Sequence, residues 1–157
     1  MATLHTIGYE KRDMGAYIAV LREAGVTVVV DVRETAWSHK PGFSKTAFEA
    51  ALAEYGIAYV HARFAGNPKA LRTRARSHAE CLRFYRDWLN DRPEIVEELD
   101  ALVVGALACG ENVALTCFER HHDDCHRSIL AEAWQSIDPS RDVEHLAHDG
   151  CKRMIPA

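Results

Sequence analysis

The run Val26-Thr27-Val28-Val29-Val30-Asp31-Val32 is almost wholly β-branched and apolar at nearly every position. A strand with one wet face alternates apolar and polar residues. A strand apolar throughout suits a parallel sheet covered on both faces. Its polar end, Asp31-Val32-Arg33-Glu34, then falls at the carboxyl edge of that sheet.

Outward from this run, strands and helices alternate. Leu4 to Gly8 is a short strand. Asp13 is placed to cap a helix through Tyr17, Ile18, Val20 and Leu21, which Gly25 ends. Ser38 to Phe43 is a loop by its Pro41-Gly42 pair. Ser44 is placed to cap a helix through Phe48, Leu52 and Tyr55, which Gly56 closes. Ile57 to Val60 reads as a third strand, and a loop with Gly66-Asn67-Pro68 follows. Helices are expected around Ala79 to Asn90 and from Glu94 to Ala108, the second opened by Pro93. Glu111 to Thr116 is a fourth strand, Asp124 to Ser136 a helix, and Val143 to Ala147 the last strand. From about His148 an exposed, weakly ordered tail is expected. No linker divides residues 1–157, so the pattern predicts one α/β domain. It is a mostly parallel sheet of about five strands with helices on both faces, layered as in Rossmann-like and flavodoxin-like folds. The carboxyl ends of the strands then share one rim.

Composition narrows the function classes. The 157 residues carry a formal net charge of -4, which argues against a bulk nucleic-acid binder. Charge is uneven, however. Between Ala65 and Arg86, Lys69, Arg72, Arg74, Arg76, Arg83 and Arg86 face only Glu80, leaving +5. That segment is either a solvated helix face or a collar for an anionic partner. Five cysteines without a regular framework speak against a secreted disulfide scaffold. The N-terminus lacks a basic stretch followed by an apolar one, and no apolar run approaches the ~20 residues that cross a bilayer. A cytoplasmic location with no membrane partner is the expectation.

The densest chemistry lies just past the fourth strand, from Cys117-Phe118-Glu119 to Cys125-His126-Arg127. Strand, polar loop and helix start is where open α/β sheets place their ligands. Cys125 is expected in the first turn of the next helix, where the amide dipole and Arg127 favour a thiolate. Small buried packing is the alternative for Cys125, and a structural ion pair for Arg127. Strand alternation puts Cys117 and Glu119 on one side, as a possible nucleophile and acid/base pair. Cys117 and Cys125 can also form a reversible thiol pair. A zinc site drawn from Cys117, His121, His122, Cys125 and His126 is the weaker reading, because no Cys-x2-Cys knuckle is present. No cofactor is expected. Asp31 and Arg33 form the opposite wall, either gripping a polar substrate or merely fixing the rim by a salt bridge.

Thr6-Ile7-Gly8-Tyr9, Asp31-Val32-Arg33, Pro41-Gly42-Phe43, Gly66-Asn67-Pro68-Lys69 and the Cys117 to Arg127 segment occur in that order. With these motifs the chain resembles the domain of unknown function 488 family from Thr6 to about Leu146. Members commonly carry a histidine in place of Tyr9, a serine or threonine in place of Glu10, and a leucine in place of Ala65. The resemblance implies a compact α/β fold and a shared polar pocket, without an established reaction. The combined expectation is a small enzyme acting on an anionic nucleotide, nucleoside or nucleic-acid substrate. Its catalytic groups are Cys117, Glu119, Cys125 and Asp31. Its substrate-binding groups are Arg33, His126, Arg127, Tyr9, Gly66, Asn67 and Lys69. A non-catalytic nucleic-acid or nucleotide-binding module and a thiol-redox or metal-binding protein are the alternatives. Oligomeric state is not legible from the residues.

Overall fold

The computed structural model describes residues 2–146. Five parallel strands, β1 (Thr3–Gly8), β2 (Val28–Asp31), β3 (Ala58–His61), β4 (Val113–Cys117) and β5 (Asp142–His145), form one sheet in the order β3-β2-β4-β1-β5. Six helices connect them: α1 (Met14–Glu23), α2 (Lys45–Ala53), α3 (Lys69–Arg74), α4 (His78–Asn90), α5 (Pro93–Ala108) and α6 (His126–Gln135). Among the described residues no helix is long and apolar enough to cross a membrane.

The predicted layering is present, with apolar packing on both faces of the sheet. Ile7, Val29 and Ala114 point to one face and meet Tyr17, Leu21, Phe48 and Leu52 of α1 and α2. Leu4, Val28, Val30 and Leu115 point to the other and meet Leu89, Leu99, Val103, Leu130 and Trp134 of α4, α5 and α6. That is why β2 and β4 are buried at every position while edge strand β3 is not. The strand order is neither of the two common doubly wound orders, 3-2-1-4-5-6 and 2-1-3-4-5. Here β4 inserts between β1 and β2.

That insertion creates a switch point. The chain leaves β1 and β2 for helices on one face, whereas it leaves β4 for α6 on the other. Between strands whose successors part in this way, the carboxyl edge stays uncovered and a crevice opens.

Local structure follows the sequence closely, with a few differences. Asp13 caps α1 as expected, accepting the Ala16 amide at 2.7 Å. Ser44 does not cap α2 with its side chain; its hydroxyl instead bridges the Ser38 amide and carbonyl and folds the loop before the helix. The short helix α3 is an addition, because Pro68 and six residues ending in Arg74 leave too brief a pattern to show periodicity. Helix α6 begins at His126 rather than Asp124, after a separate 3-10 turn over His122–Asp124. The expected tail lies outside the described residues, as does Ala147 at the end of the last predicted strand.

At the end of β2, Asp31 is fully buried. Its carboxylate receives both Nε (2.9 Å) and Nη2 (2.7 Å) of Arg33 and the hydroxyl of Tyr59. Replacing Asp31 with asparagine leaves the Arg33 guanidinium buried without its counter-charge. Urea unfolding of Asp31→Asn should show a loss of about 3–5 kcal/mol; a loss within experimental error would refute the pairing.

On the far side of the sheet His145 of β5 stacks on His122 with ring centres 3.7 Å apart, and its Nδ1 lies 2.6 Å from the Thr6 hydroxyl. Burial, His122 and the Arg127 charge pull its pKa down to about 4, against a weaker opposing pull from Asp123. The unfolded chain holds a histidine near ~6.5, so below that pH the unfolded state takes up the proton first. Stability is therefore complete above ~6.5 and declines as pH falls toward the folded value. The unfolding midpoint should drop between pH 7 and pH 5, and His145→Gln should drop less over the same interval.

Candidate functional site

The crevice at the switch point is a cleft of about 670 Å³. Its floor is the end of β4 and the loop after it, with Cys117, Phe118 and Glu119. One wall carries Tyr9 and Arg33 from the ends of β1 and β2, and Trp37 and Lys40 from the loop before α2. Asn67, Arg72 and His126 close it from the other side. A hollow of about 370 Å³ adjoins it and shares Asn67, Arg72, Glu119 and His126, adding Arg76 and His78. A separate depression at the opposite edge, around Ala2, Leu107 and Arg141, is lined by no cysteine or histidine.

The floor is held by an extension of the sheet. Past the strand ends the Tyr9 amide donates to the Cys117 carbonyl (3.2 Å) and the Glu10 amide to the Phe118 carbonyl (2.8 Å). The Glu10 carboxylate in turn accepts from the Arg120 amide at 2.9 Å. The Glu119 carbonyl sits directly on Gly8, where a Cβ would lie 1.8 Å from its oxygen. Only glycine admits that approach.

Arg127 lies beneath the floor. It is 1% exposed, and it donates Nη1 to the Glu119 carbonyl (2.7 Å) and Nε to the Thr6 hydroxyl (3.3 Å). The expectation that it grips an anion is corrected: its donors fasten the β4–α6 loop to β1, and the side chain does not line the cleft. Cys125 is likewise sealed, with 0% exposure, and stands at the cap position before α6 rather than in its first turn. His126, Arg127 and Ser128 of that first turn are buried too, so the helix start offers no open anion cradle.

Of the other expected residues, Cys117, Glu119, His126, Arg33, Tyr9 and Asn67 all line the cleft. Asp31 does not reach it; it positions Arg33, whose Nη1 in turn donates to the Tyr9 hydroxyl at 3.1 Å. Gly66 serves a close backbone crossing, since a Cβ there would lie 2.4 Å from the Glu34 backbone. The Lys69 amide donates to the Glu34 carboxylate at 2.8 Å, and Lys69 lines neither hollow. Arg72 and Arg76 bring part of the basic segment to the edge of the smaller hollow.

Several lining residues were not singled out from the sequence, Lys40, Trp37 and Phe118 among them. Lys40, whose Nζ donates to the Tyr9 carbonyl at 3.0 Å, lies in a stretch read only as a loop. Trp37 and Phe118 are 58% and 44% exposed. A tryptophan beside a Pro-Gly loop and a phenylalanine between a cysteine and a glutamate were the available signals.

Cys117, Cys125 and His126 converge behind Glu119. Both sulfurs approach the same imidazole atom, with Nδ1 of His126 3.8 Å from Cys117 Sγ and 3.9 Å from Cys125 Sγ. Nε2 of His126 is 2.7 Å from the Val32 carbonyl. A carbonyl only accepts, so Nε2 carries a proton and Nδ1 faces the sulfurs. Burial alone would raise the Cys125 thiol. The hydrogen bond from Cys117 and the charges of His126 and Arg127 hold it well below the ordinary thiol value instead. The same bond, together with burial, pushes Cys117 well up. Burial and the neighbouring Cys125 push Glu119 up to about 7. The sealed sulfur is thus the one favoured as thiolate, and the sulfur bordering the cleft is the one kept protonated. All four cysteines among the described residues are free thiols.

A family profile described as "Domain of unknown function DUF488" matches residues 13–134, which spans α1 to the last turns of α6 and includes every residue of the cysteine–histidine cluster. No curated protein and no solved structure matches the chain. The match covers well over half of the 157 residues, and the chain belongs to the DUF488 domain family.

Proposed function

We propose that the chain is a small cytoplasmic enzyme that acts on an anionic substrate of the nucleotide type, a free nucleotide or the end of a nucleic-acid strand, in the cleft at the carboxyl rim. One observation carries this: reactive groups, cations and exposed aromatic rings share a single opening. Cys117, Glu119 and His126 line its floor and far side; Arg33, Lys40 and Arg72 bring positive charge; Trp37 and Phe118 offer ring faces. A phosphate is met by the planar fork of Arg72 and the ammonium of Lys40. A base has aromatic surface on which to stack, which does not depend on its identity. Glu119 stands where a proton must be given or taken, since it lies next to the cluster and borders both hollows.

Arg72→Ala and Trp37→Ala separate the two modes of recognition. Titration with nucleoside monophosphates and a short single-stranded oligonucleotide should show both variants weakened. The arginine variant should also lose part of the salt dependence, because it removes a phosphate contact. The tryptophan variant should lose about 1–3 kcal/mol without changing the salt slope. Binding by the parent chain that ignores salt would count against the phosphate role.

For catalysis, Glu119→Gln should lower turnover by about 100-fold or more, as removal of a general acid/base does, while monophosphate binding persists. A substrate screen in which Glu119→Gln and Cys117→Ser both keep full activity would remove the enzyme reading. Salt-sensitive binding with no turnover would favour a non-catalytic nucleotide-binding module instead, a reading supported by Arg72 and Arg76 both facing the same opening.

A further inference from the structure

We infer that Cys117, Cys125 and His126 form a three-ligand site for a zinc ion, with the fourth position open to the cleft. The chemistry deepens the function proposed above and rests on it for the substrate, but not for the metal.

Geometry is the first support. The two sulfurs and the imidazole nitrogen lie within 4.8 Å of one another. In tetrahedral zinc with Zn–S of about 2.3 Å and Zn–N of about 2.0–2.1 Å, a sulfur and a nitrogen ligand sit roughly 3.6 Å apart and two sulfurs roughly 3.8 Å apart. The observed sulfur–nitrogen separations are 3.8 and 3.9 Å. A contraction of a few tenths of an ångström brings both sulfurs to ligand distance from the nitrogen, and the two sulfurs already lie within 4.8 Å of each other.

Orientation is the second. With Nε2 of His126 bound to the Val32 carbonyl, Nδ1 is the ring atom directed at both sulfurs, and it offers its lone pair once an ion displaces the proton shared with the thiolate. That is how a metal-binding imidazole is held, its other nitrogen anchored to a backbone carbonyl or a carboxylate. The His126 ring also meets Tyr85 in a T-shaped contact, 4.9 Å between centres. The ligands stand on fixed elements, Cys117 at the end of β4 and Cys125-His126 at the start of α6.

Accessibility is the third. Cys125, at 0% exposure, meets no substrate, so a direct nucleophilic role does not suit it. Cys117 and His126 border the cleft, and so does Glu119. Oε2 of Glu119 is buried and has no hydrogen-bond partner among the described residues. A water on the fourth position of the ion supplies the missing donor. Three protein ligands and one open position mark zinc sites that catalyse rather than brace. Two cysteines and a histidine with a non-ligand glutamate are also the groups with which nucleobase deaminases activate water. The reaction class is hydrolysis. Zinc held there would make a bound water more acidic; Glu119 would take that water's proton as the oxygen bonds to the electrophilic carbon or phosphorus, and would pass it to the leaving group as that group's bond to the same atom breaks.

The test is a titration of the chelator-stripped full chain with Zn²⁺ and, separately, with Co²⁺. About one equivalent should bind, and the Co²⁺ form should show sulfur-to-cobalt charge-transfer absorption with the visible bands of a tetrahedral ion. Cys125→Ser and His126→Asn should lose more than about 100-fold in affinity, above the range for changes outside the ligand shell. Glu119→Gln should keep the stoichiometry. Absence of binding by the parent chain, or a Co²⁺ spectrum without the charge-transfer band, would overturn the site. The parent titration decides even if a cysteine variant fails to fold. Monophosphate binding measured on the stripped chain separates the two proposals. If it persists without metal binding, only the zinc site falls; if zinc binds and neither monophosphate nor oligonucleotide does, only the nucleotide reading falls.

Discussion

Strand β4 must be covered on both faces, and it must sit between two strands whose connections both depart to the face opposite its own. Its five residues, Val113–Cys117, are all buried, so it cannot move to an edge without exposing Val113 and Leu115. Held in the centre, it has β1 on one side and β2 on the other. The helices that follow those neighbours pack on one face, and α6 packs on the other. Among the described residues no segment closes the gap above its end. The cleft is therefore a result of topology: most of the residues that line it follow the three central strands, and Asn67 and Arg72 join them from the segment after edge strand β3.

Around this opening the protein commits charge to fixed positions. Asp31 spends both oxygens on Arg33 and Tyr59, and Arg33 reaches past it to the Tyr9 hydroxyl. The Tyr9 ring stacks on Phe43 at 4.5 Å. A long, many-rotamer side chain is in this way held beside the cleft before any ligand arrives. Beneath the floor Arg127 does the equivalent for the loop that carries Glu119. Two arginines that look alike in the sequence, each next to a cluster of reactive residues, thus have different tasks. One borders the cleft and the other is a buried brace.

That difference shows where sequence reasoning stops. The β-branched run at Val26–Val32 and the alternation of elements carry the fold class, because burial on both faces leaves a direct mark on composition. Helix ends at Gly25 and Gly110 are equally visible, since both residues take a positive φ, 72° and 81°. Strand order is not visible, because which neighbour β4 chooses depends on packing between residues far apart in the chain. In the site, types and approximate places were legible for Cys117, Glu119, His126, Arg33, Tyr9 and Asn67. Exposure was not: Cys125, Arg127 and Asp31 carry suitable chemistry but point into the interior. Trp37 and Phe118 had the opposite problem, since large rings in a chain are ordinarily assigned to the core, and only the tertiary arrangement leaves these two in solvent.

The hydrogen bonds that run beyond the ends of β1 and β4 tie the cleft floor to the sheet. Because the Tyr9 and Glu10 amides continue the ladder onto Cys117 and Phe118, Phe118 and Glu119 belong to the same cooperative unit as the central strands. Opening this loop requires breaking sheet bonds and withdrawing a carbonyl from the groove over Gly8. Its amide protons should accordingly exchange on the timescale of the core rather than of a surface loop. The opposite lip differs, because Trp37 and its neighbours rest on a loop outside the ladder and are free of that constraint.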